Sequence, residues 1–155
     1  MVVPRADGPY GYASWGRAAG MNDTQVTLVG HVATQVDYKE TAHGPSARFR
    51  FAVTPRWFDR RKEAWTDGTT SFYTVWARRA LAVNLAGSVA VGEPLVVHGR
   101  LRVREDPPDG EGPRWVSAEI DATAVGHDLS RGTAAFRRVI RTDTPLMATQ
   151  KAAVG

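Results

Sequence analysis

The sequence predicts an all-β domain of five strands with one short helix between the third and the fourth. Apolar and polar residues alternate along residues 47–54 and 95–104, as in strands with one buried face. Only residues 80–91 repeat their apolar side chains at helical spacing. Glycine, proline and aspartate separate these segments and favour turns. A chain of 155 residues suffices for one domain with a real core, and is too short for two comfortable ones.

The first two strands lead into a basic, aromatic-rich segment. Residues 25–32 (QVTLVGHV) have the β-branched content of a strand, which we expect to continue to Tyr38. The second strand covers residues 47–54. Because side chains alternate along a strand, one side is apolar and the other cationic. The apolar side carries Phe49, Phe51 and Val53, and the cationic side carries Arg48 and Arg50.

The third strand and the helix follow a long polar loop or hairpin at residues 55–70. Residues 71–79 alternate as a strand. Its outer side carries Phe72, Thr74, Trp76 and Arg78. The helix predicted over residues 80–91 has apolar residues at 81, 85 and 89, and Gly92 supplies its stop.

Two further strands complete the domain. The fourth, residues 95–104, places Arg100, Arg102 and Arg104 on one side. An acidic loop with three prolines connects it to the fifth strand, residues 115–125. On the fifth strand we expect Val116, Ala118 and Ile120 to point inward, and Trp115, Ser117, Glu119 and Asp121 to point outward.

Aromatic and basic residues are interleaved along residues 54–79 in a pattern that is typical of a nucleic-acid surface. Unpaired bases can stack on exposed rings for about 1 to 3 kcal/mol each, while arginines neutralise phosphates. Single strands are the expected ligand, because only unpaired bases offer free faces. The alternative is a hairpin with half-buried rings and solvated charges. The aromatic residues are Trp57, Phe58, Trp65, Phe72, Tyr73 and Trp76.

Charge and composition limit the function classes. The net charge of the chain is +4, yet residues 21–130 hold 13 Lys and Arg against 14 Asp and Glu, so DNA affinity requires arginines gathered on one face. The chain has no cysteine, and its four histidines lack metal-ligand spacing. No nucleotide-binding, hydrolase or metalloprotease motif is present, and Glu119 with Asp121 is a weak basis for a nuclease. We expect no catalytic residues, no metal, no cofactor and no membrane span.

The order of strands and helix is that of an OB-fold, a five-stranded Greek-key barrel. Four segments resemble the bacterial single-stranded DNA-binding (SSB) family, and in particular an actinobacterial paralogue, over residues 22–128: QVTLVGHV, RFRFAVTPRW, SFYTVWARRALAVNLAGSVAVGEPLVVHGRLRVR and RWVSAEIDATAVG. The resemblance implies a homotetramer in the cytoplasm, associated with the nucleoid. It would bind single-stranded DNA without strong sequence preference and protect exposed strands during replication, recombination or repair.

The resemblance also implies individual contact residues. Trp57 and Phe72 match two stacking positions of the family. The next family aromatic falls at Arg78, so we expect Trp76, on the same face, to replace it. A fourth falls near Asp106, where Trp115 or Trp65 could compensate. The full predicted set of single-stranded DNA contacts is Trp57, Phe72, Trp76, Arg48, Arg50, Arg56, Thr74, Arg78, Arg100, Arg102, Arg104, Trp65 and Trp115.

Outside the domain we expect a flexible extension at residues 1–21 and a disordered basic tail at residues 129–155. Family members typically end in an acidic segment that recruits replication and repair enzymes. The ending PLMATQKAAVG lacks it, so we do not expect recruitment through an acidic tip. The alternative function is an OB-fold interaction module of the primosomal type that binds protein or RNA.

Overall fold

The computed structural model describes residues 22–106 and 111–140, with one helix and eight strands. The predicted extension (residues 1–21), the tip of the acidic loop (residues 107–110) and the end of the predicted tail (residues 141–155) lie outside the described residues. The elements are β1 (Gln25–Val32), β2 (Asp37–Thr41), β3 (Gly44–Val53), β4 (Arg56–Asp59), β5 (Ala64–Asp67), β6 (Ser71–Arg78), α1 (Arg79–Ser88), β7 (Pro94–Asp106) and β8 (Trp115–His127).

Six strands form one sheet in the order β1-β7-β8-β6-β3-β2. All neighbours are antiparallel except β6 and β8, which are parallel. The first strand also pairs with β3 at His31↔Ala52 and Val32↔Phe51, which brings the sheet back on itself. The predicted five strands are β1, β3, β6, β7 and β8, with α1 between the third and the fourth, so the OB-fold is confirmed.

The first strand differs from the prediction, whereas the polar segment at residues 55–70 takes the hairpin form, one of the two forms predicted for it. The first strand ends at Val32 and does not continue to Tyr38, because β2 is a separate strand that forms a hairpin with β3. The predicted polar excursion contains a second hairpin, in which β4 pairs only with β5. We call this hairpin the arm. It contributes no strand to the main sheet, so its side chains are mostly exposed.

The core lies inside the ring of strands and follows the predicted alternation. Phe49 and Phe51 of β3 are buried and meet edge to face, with ring centroids 6.0 Å apart. Val75, Val97 and Ile120 are buried beside them on β6, β7 and β8. Burial of a side chain of this kind contributes about 1.5 to 3 kcal/mol. The core residues alternate with outward residues on the same strands, and these outward residues form the surface described below.

Close strand contacts in the ring require two glycines. A Cβ atom on Gly30 would lie 2.2 Å from the carbonyl oxygen of Ala52, and one on Gly99 would lie 2.2 Å from that of Asp121. Gly99 follows an irregularity in the β7–β8 register. Both glycines therefore allow a backbone approach that any larger residue would prevent.

The helix α1 packs on β3 and β6 and buries Ala82 and Leu85. It ends at Ser88, three residues before the predicted limit, since Val89 is already extended. The chain then turns through Gly92, whose N–H donates to the Val32 carbonyl over 2.8 Å. Among the residues described, no helix is long and apolar enough to cross a membrane.

Candidate nucleic-acid interface

The outer sides of β3 and β6 form a continuous surface of cations and rings. The register pairs Arg48 with Trp76, Arg50 with Thr74 and Ala52 with Phe72. These side chains all lie opposite the core, because Phe49, Val75 and their alternating neighbours point inward. We call this surface the cationic face. Its functional side chains are Arg48, Arg50, Phe72, Thr74, Trp76 and Arg78.

Guanidinium groups lie over aromatic rings on the cationic face. The Cζ atoms of Arg48 and Arg78 lie 5.4 Å and 5.3 Å from the ring centroid of Trp76. That of Arg50 lies 5.6 Å from the ring of Phe72, and Arg50 also donates to the Thr74 hydroxyl over 3.1 Å. Cation–π contacts at these distances hold a guanidinium in place without neutralising it. Arg48 also forms an ion pair with Asp37 at 3.2 Å. The face thus presents oriented positive charge beside flat apolar rings.

The two rings of the face differ in their surroundings. Phe72 is half exposed. Trp76 is partly buried, and its indole N–H donates to Glu119 Oε1 over 3.4 Å. Arg78 is further held by a hydrogen bond to the Ser46 hydroxyl. Phe72 is therefore the more accessible stacking surface, whereas Trp76 is fixed by its neighbours.

Next to the cationic face, β7 and β8 carry an alternating row of charges. The register places Arg100 opposite Asp121 and Arg102 opposite Glu119. Asp121 lies 2.7 Å from Arg100 Nη2 and 3.0 Å from Arg102 Nη2. Glu119 lies 3.6 Å from Arg102 and 3.8 Å from Arg104. We call these five residues the charge ladder.

Sequence reasoning missed the charge ladder. It predicts Glu119 and Asp121 on the outer side, and they are there, but only 7% and 6% of each residue is exposed. The arginines of β7 cover them on one flank and β6 covers them on the other. The sequence did indicate that the arginines of β7 and the acids of β8 lie on the same side of their strands, and this was the one observation from which the ladder could have been predicted. Parity gives the side of each residue and not the register that joins them.

The arm carries aromatic residues on both of its sides. Phe58 and Trp65 are register partners and pack edge to face, with centroids 5.8 Å apart. Trp57 pairs with Thr66 and therefore lies on the other side. Its ring lies against Gly68, where a Cβ would be 2.7 Å from Trp57 Cζ3. Two residues predicted as stacking positions, Trp57 and Trp65, thus lie on opposite sides of the arm.

Other predicted contacts lie at the edges of this surface. Arg56 is exposed at the base of the arm and lies 3.3 Å from Asp67. Trp115, 70% exposed, lies at the outer end of the β7–β8 hairpin. Its neighbour Val116 was predicted to point into the core. That prediction is wrong, because the hairpin extends beyond the barrel and leaves Val116 67% exposed.

A small closed barrel whose outer side presents rings beneath oriented guanidinium groups defines an OB-fold protein of the nucleic-acid-binding class. Comparison with known proteins identifies the family within this class. The chain belongs to the single-strand binding protein family, whose sequence model matches residues 23–128. The predicted resemblance is confirmed.

Two similar proteins and one similar solved structure come from Streptomyces species. The chain is 58% identical over 123 residues to "Single-stranded DNA-binding protein 1" of Streptomyces coelicolor, covering 79% of this chain and 78% of the relative. It is 60% identical over 118 residues to "Single-stranded DNA-binding protein 2" of Streptomyces avermitilis, covering 76% and 73%. The crystal structure of a small single-stranded DNA-binding protein from Streptomyces coelicolor superposes with a TM-score of 0.66. It is 56% identical to this chain, of which it covers 72%, and all of that structure is matched.

Proposed function

We propose that this protein binds single-stranded DNA without strong sequence preference and protects exposed strands during replication, recombination or repair. The relatives named above carry single-stranded DNA binding in their names. Bases would stack on exposed rings, and phosphates would lie along the arginines of the cationic face. Stacking tolerates any base, because every base has a flat aromatic surface.

The observation that carries this proposal is the cation–π contact between Arg50 and Phe72, which lie on adjacent strands. The guanidinium lies 5.6 Å from the ring centroid, and the ring stays half exposed. A base stacked on the ring would bring its own phosphate within reach of the cation. Single-stranded nucleic acid requires both contacts, because stacking alone gives little attraction at a distance and charge alone does not select single strands.

The rest of the contact set lies beside this arrangement. The arm, between β3 and β6, adds Trp57, Trp65 and Arg56, and Trp115 lies at the start of β8. The proposed set of direct contacts comprises Trp57, Trp65, Phe72, Trp76, Trp115, Arg48, Arg50, Arg56, Thr74 and Arg78. The remaining predicted residues, Arg100, Arg102 and Arg104, lie beside this set on the charge ladder.

Titration of the intrinsic tryptophan fluorescence tests the proposal. The protein is titrated with oligo(dT), with a duplex and with an RNA of equal length, each at low and at high salt. We expect quenching to a sharp end point with oligo(dT), weaker binding at high salt and much weaker binding to the duplex. If the protein is folded and its tryptophan fluorescence does not change with any of the three nucleic acids, the proposal is contradicted. A preference for RNA would favour the interaction-module alternative.

Assembly, activity and location complete the proposal. We propose a homotetramer, which sedimentation analysis would test. The protein would act by binding alone, with no catalytic step and no cofactor. A role on chromosomal single strands places it in the cytoplasm, associated with the nucleoid. Among the described residues, no group of three or more His, Asp or Glu side chains could hold a metal ion.

A further inference from the structure

The predicted phosphate contacts fall into two groups that differ in what holds them. On the cationic face, Arg50 contacts the Phe72 ring and the Thr74 hydroxyl, both of which are neutral. On the charge ladder, Arg100 and Arg102 contact the carboxylates of Asp121 and Glu119. The two groups lie on one outer surface of the same sheet, since β6 and β8 are neighbours. Arg50 and the ladder arginines therefore differ in charge compensation, whereas Arg48 of the cationic face is itself paired with Asp37 at 3.2 Å.

The ladder carboxylates compensate the arginines strongly. Asp121 accepts from both Arg100 and Arg102, at 2.7 Å and 3.0 Å, which are distances of charge-assisted hydrogen bonds. Its side chain is 8% exposed, and those of Arg100 and Arg102 are 20% and 26% exposed. Salt screens partly buried pairs of this kind much less than exposed pairs. An incoming phosphate must therefore compete with a carboxylate that is already in place.

Glu119 extends the same arrangement to the next arginine and to the cationic face. Its Oε1 atom lies 3.8 Å from Arg104 and accepts the indole N–H of Trp76, while Oε2 lies 3.6 Å from Arg102. Each ladder arginine thus faces at least one carboxylate across the β7–β8 pair. The charges alternate along the surface.

We infer that Asp121 and Glu119 are permanent counter-ions of the ladder arginines within the interface. This inference rests on the proposed binding of single-stranded DNA. They take guanidinium donors that phosphates would otherwise take. Arg100 and Arg102 consequently neutralise these carboxylates, while Arg50 of the cationic face neutralises phosphate. The carboxylates thereby reduce the number of phosphates that the protein binds.

The dependence of affinity on salt measures that number directly. For single strands, the slope of log K against log salt changes by about 0.7 for each phosphate neutralised. We would measure this slope with oligo(dT) for the wild type, D121N, the charge-balanced pair R100Q/D121N and R50Q. Thermal unfolding of each variant verifies that it is folded.

The inference predicts a different effect on the salt slope for each of the three variants. D121N removes the carboxylate that lies closest to Arg100 and Arg102. A phosphate then competes with the more distant Asp23, 3.7 Å from Arg100, and Glu119, 3.6 Å from Arg102, so binding tightens and the slope steepens by up to about 0.7. R100Q/D121N removes one cation and one carboxylate while Glu119 still faces Arg102, so the slope stays that of the wild type. R50Q removes an active cation, so the slope flattens by about 0.7. Should D121N unfold, E119Q provides the same test, since its amide oxygen can still accept from Trp76.

Other outcomes would overturn the inference. If R100Q/D121N flattens the slope as much as R50Q does, Arg100 contacts a phosphate in the wild type. If D121N, or E119Q in its place, leaves the slope and the affinity unchanged, the carboxylates do not compete with DNA. Absence of binding by the wild type would overturn the proposed function as well. Binding by the wild type with the wrong pattern among the variants would overturn only the role of the ladder.

Discussion

Trp115 lies directly across the β7–β8 strand pair from Asp106. The family resemblance predicts an aromatic residue near position 106, where the sequence has an aspartate. A register partner on an antiparallel strand lies on the same side of the sheet. Trp115 therefore presents its ring on the outer side that also carries Arg104. Trp115 thus offers a ring on the surface where the resemblance places the family's aromatic residue, and its contact with DNA stays a prediction.

Replacing Trp115 with alanine should weaken binding of oligo(dT) by about 1 to 3 kcal/mol, the usual contribution of one stacked base. The salt slope should stay unchanged, because no cation is removed. Val116→Ala is the matched control, since Val116 is equally exposed but lies on the other side of the same hairpin. If the two variants lose the same binding free energy for oligo(dT) at the same salt concentration, Trp115 is not a stacking residue.

The position of the Trp57 ring depends on Gly68. A methyl group at this glycine would lie 2.7 Å from the ring atom Cζ3, and the Gly68 N–H is fixed by a 2.7 Å bond to the Pro55 carbonyl. Gly68→Ala should therefore displace the ring and weaken oligo(dT) binding. In a double-mutant cycle with Trp57→Ala, the two losses should be less than additive. Gly126→Ala is the control, because space is open there. Additive losses would show that Gly68 acts independently of Trp57.

Alternation along the strands was enough to predict the core and the sides of the arginines. Phe49 and Val75 are buried and Arg48 and Phe72 point outward, as the parity of β3 and β6 requires. These predictions succeed because a one-residue shift would move every apolar side chain from the core to the solvent. The sequence alone therefore carries strong information on the side of each residue.

Alternation along a single strand could not predict which residues face each other on neighbouring strands. The pairing of Arg100 with Asp121 depends on a register that includes an irregularity at Gly99. Trp57 and Trp65 are both exposed aromatics of one hairpin, and only the turn length sets them on opposite sides. Val116 alternates like a core residue but lies beyond the end of the barrel. In each case a distant part of the chain decides the surroundings of the residue.

Two glycines near the helix should respond to alanine with opposite signs. Gly92 has φ +88° and open space around it, so the cost of Gly92→Ala is the left-handed backbone alone, about 1 kcal/mol or more of the free energy of unfolding. Gly87 lies within α1 with open space, so Gly87→Ala should stabilise by about 0.5 to 1 kcal/mol. Urea unfolding of both variants measures the two changes. A loss of stability in both would contradict this interpretation.

Glu93 should contribute to the dependence of the free energy of unfolding on pH. The backbone N–H of Ala90 donates to its carboxylate over 2.7 Å, and this bond, helped by His127, lowers the pKa of Glu93 below its ordinary value of 4.5. A lowered pKa means that the folded state prefers the ionised form. The stabilisation is therefore complete above pH 4.5 and is lost as the pH falls through the lower pKa of the folded state.

Glu93→Gln should accordingly be less stable than the wild type at pH 7, and the difference should shrink as the pH is lowered below 4.5. The glutamine amide oxygen can still accept from Ala90, so the variant isolates the charge. Urea unfolding followed by circular dichroism between pH 7 and pH 3 measures the difference. Glu63→Gln, at the exposed turn of the arm, is the control. A difference between Glu93→Gln and the wild type that stays constant down to pH 3 would show that ionisation of Glu93 does not stabilise the fold.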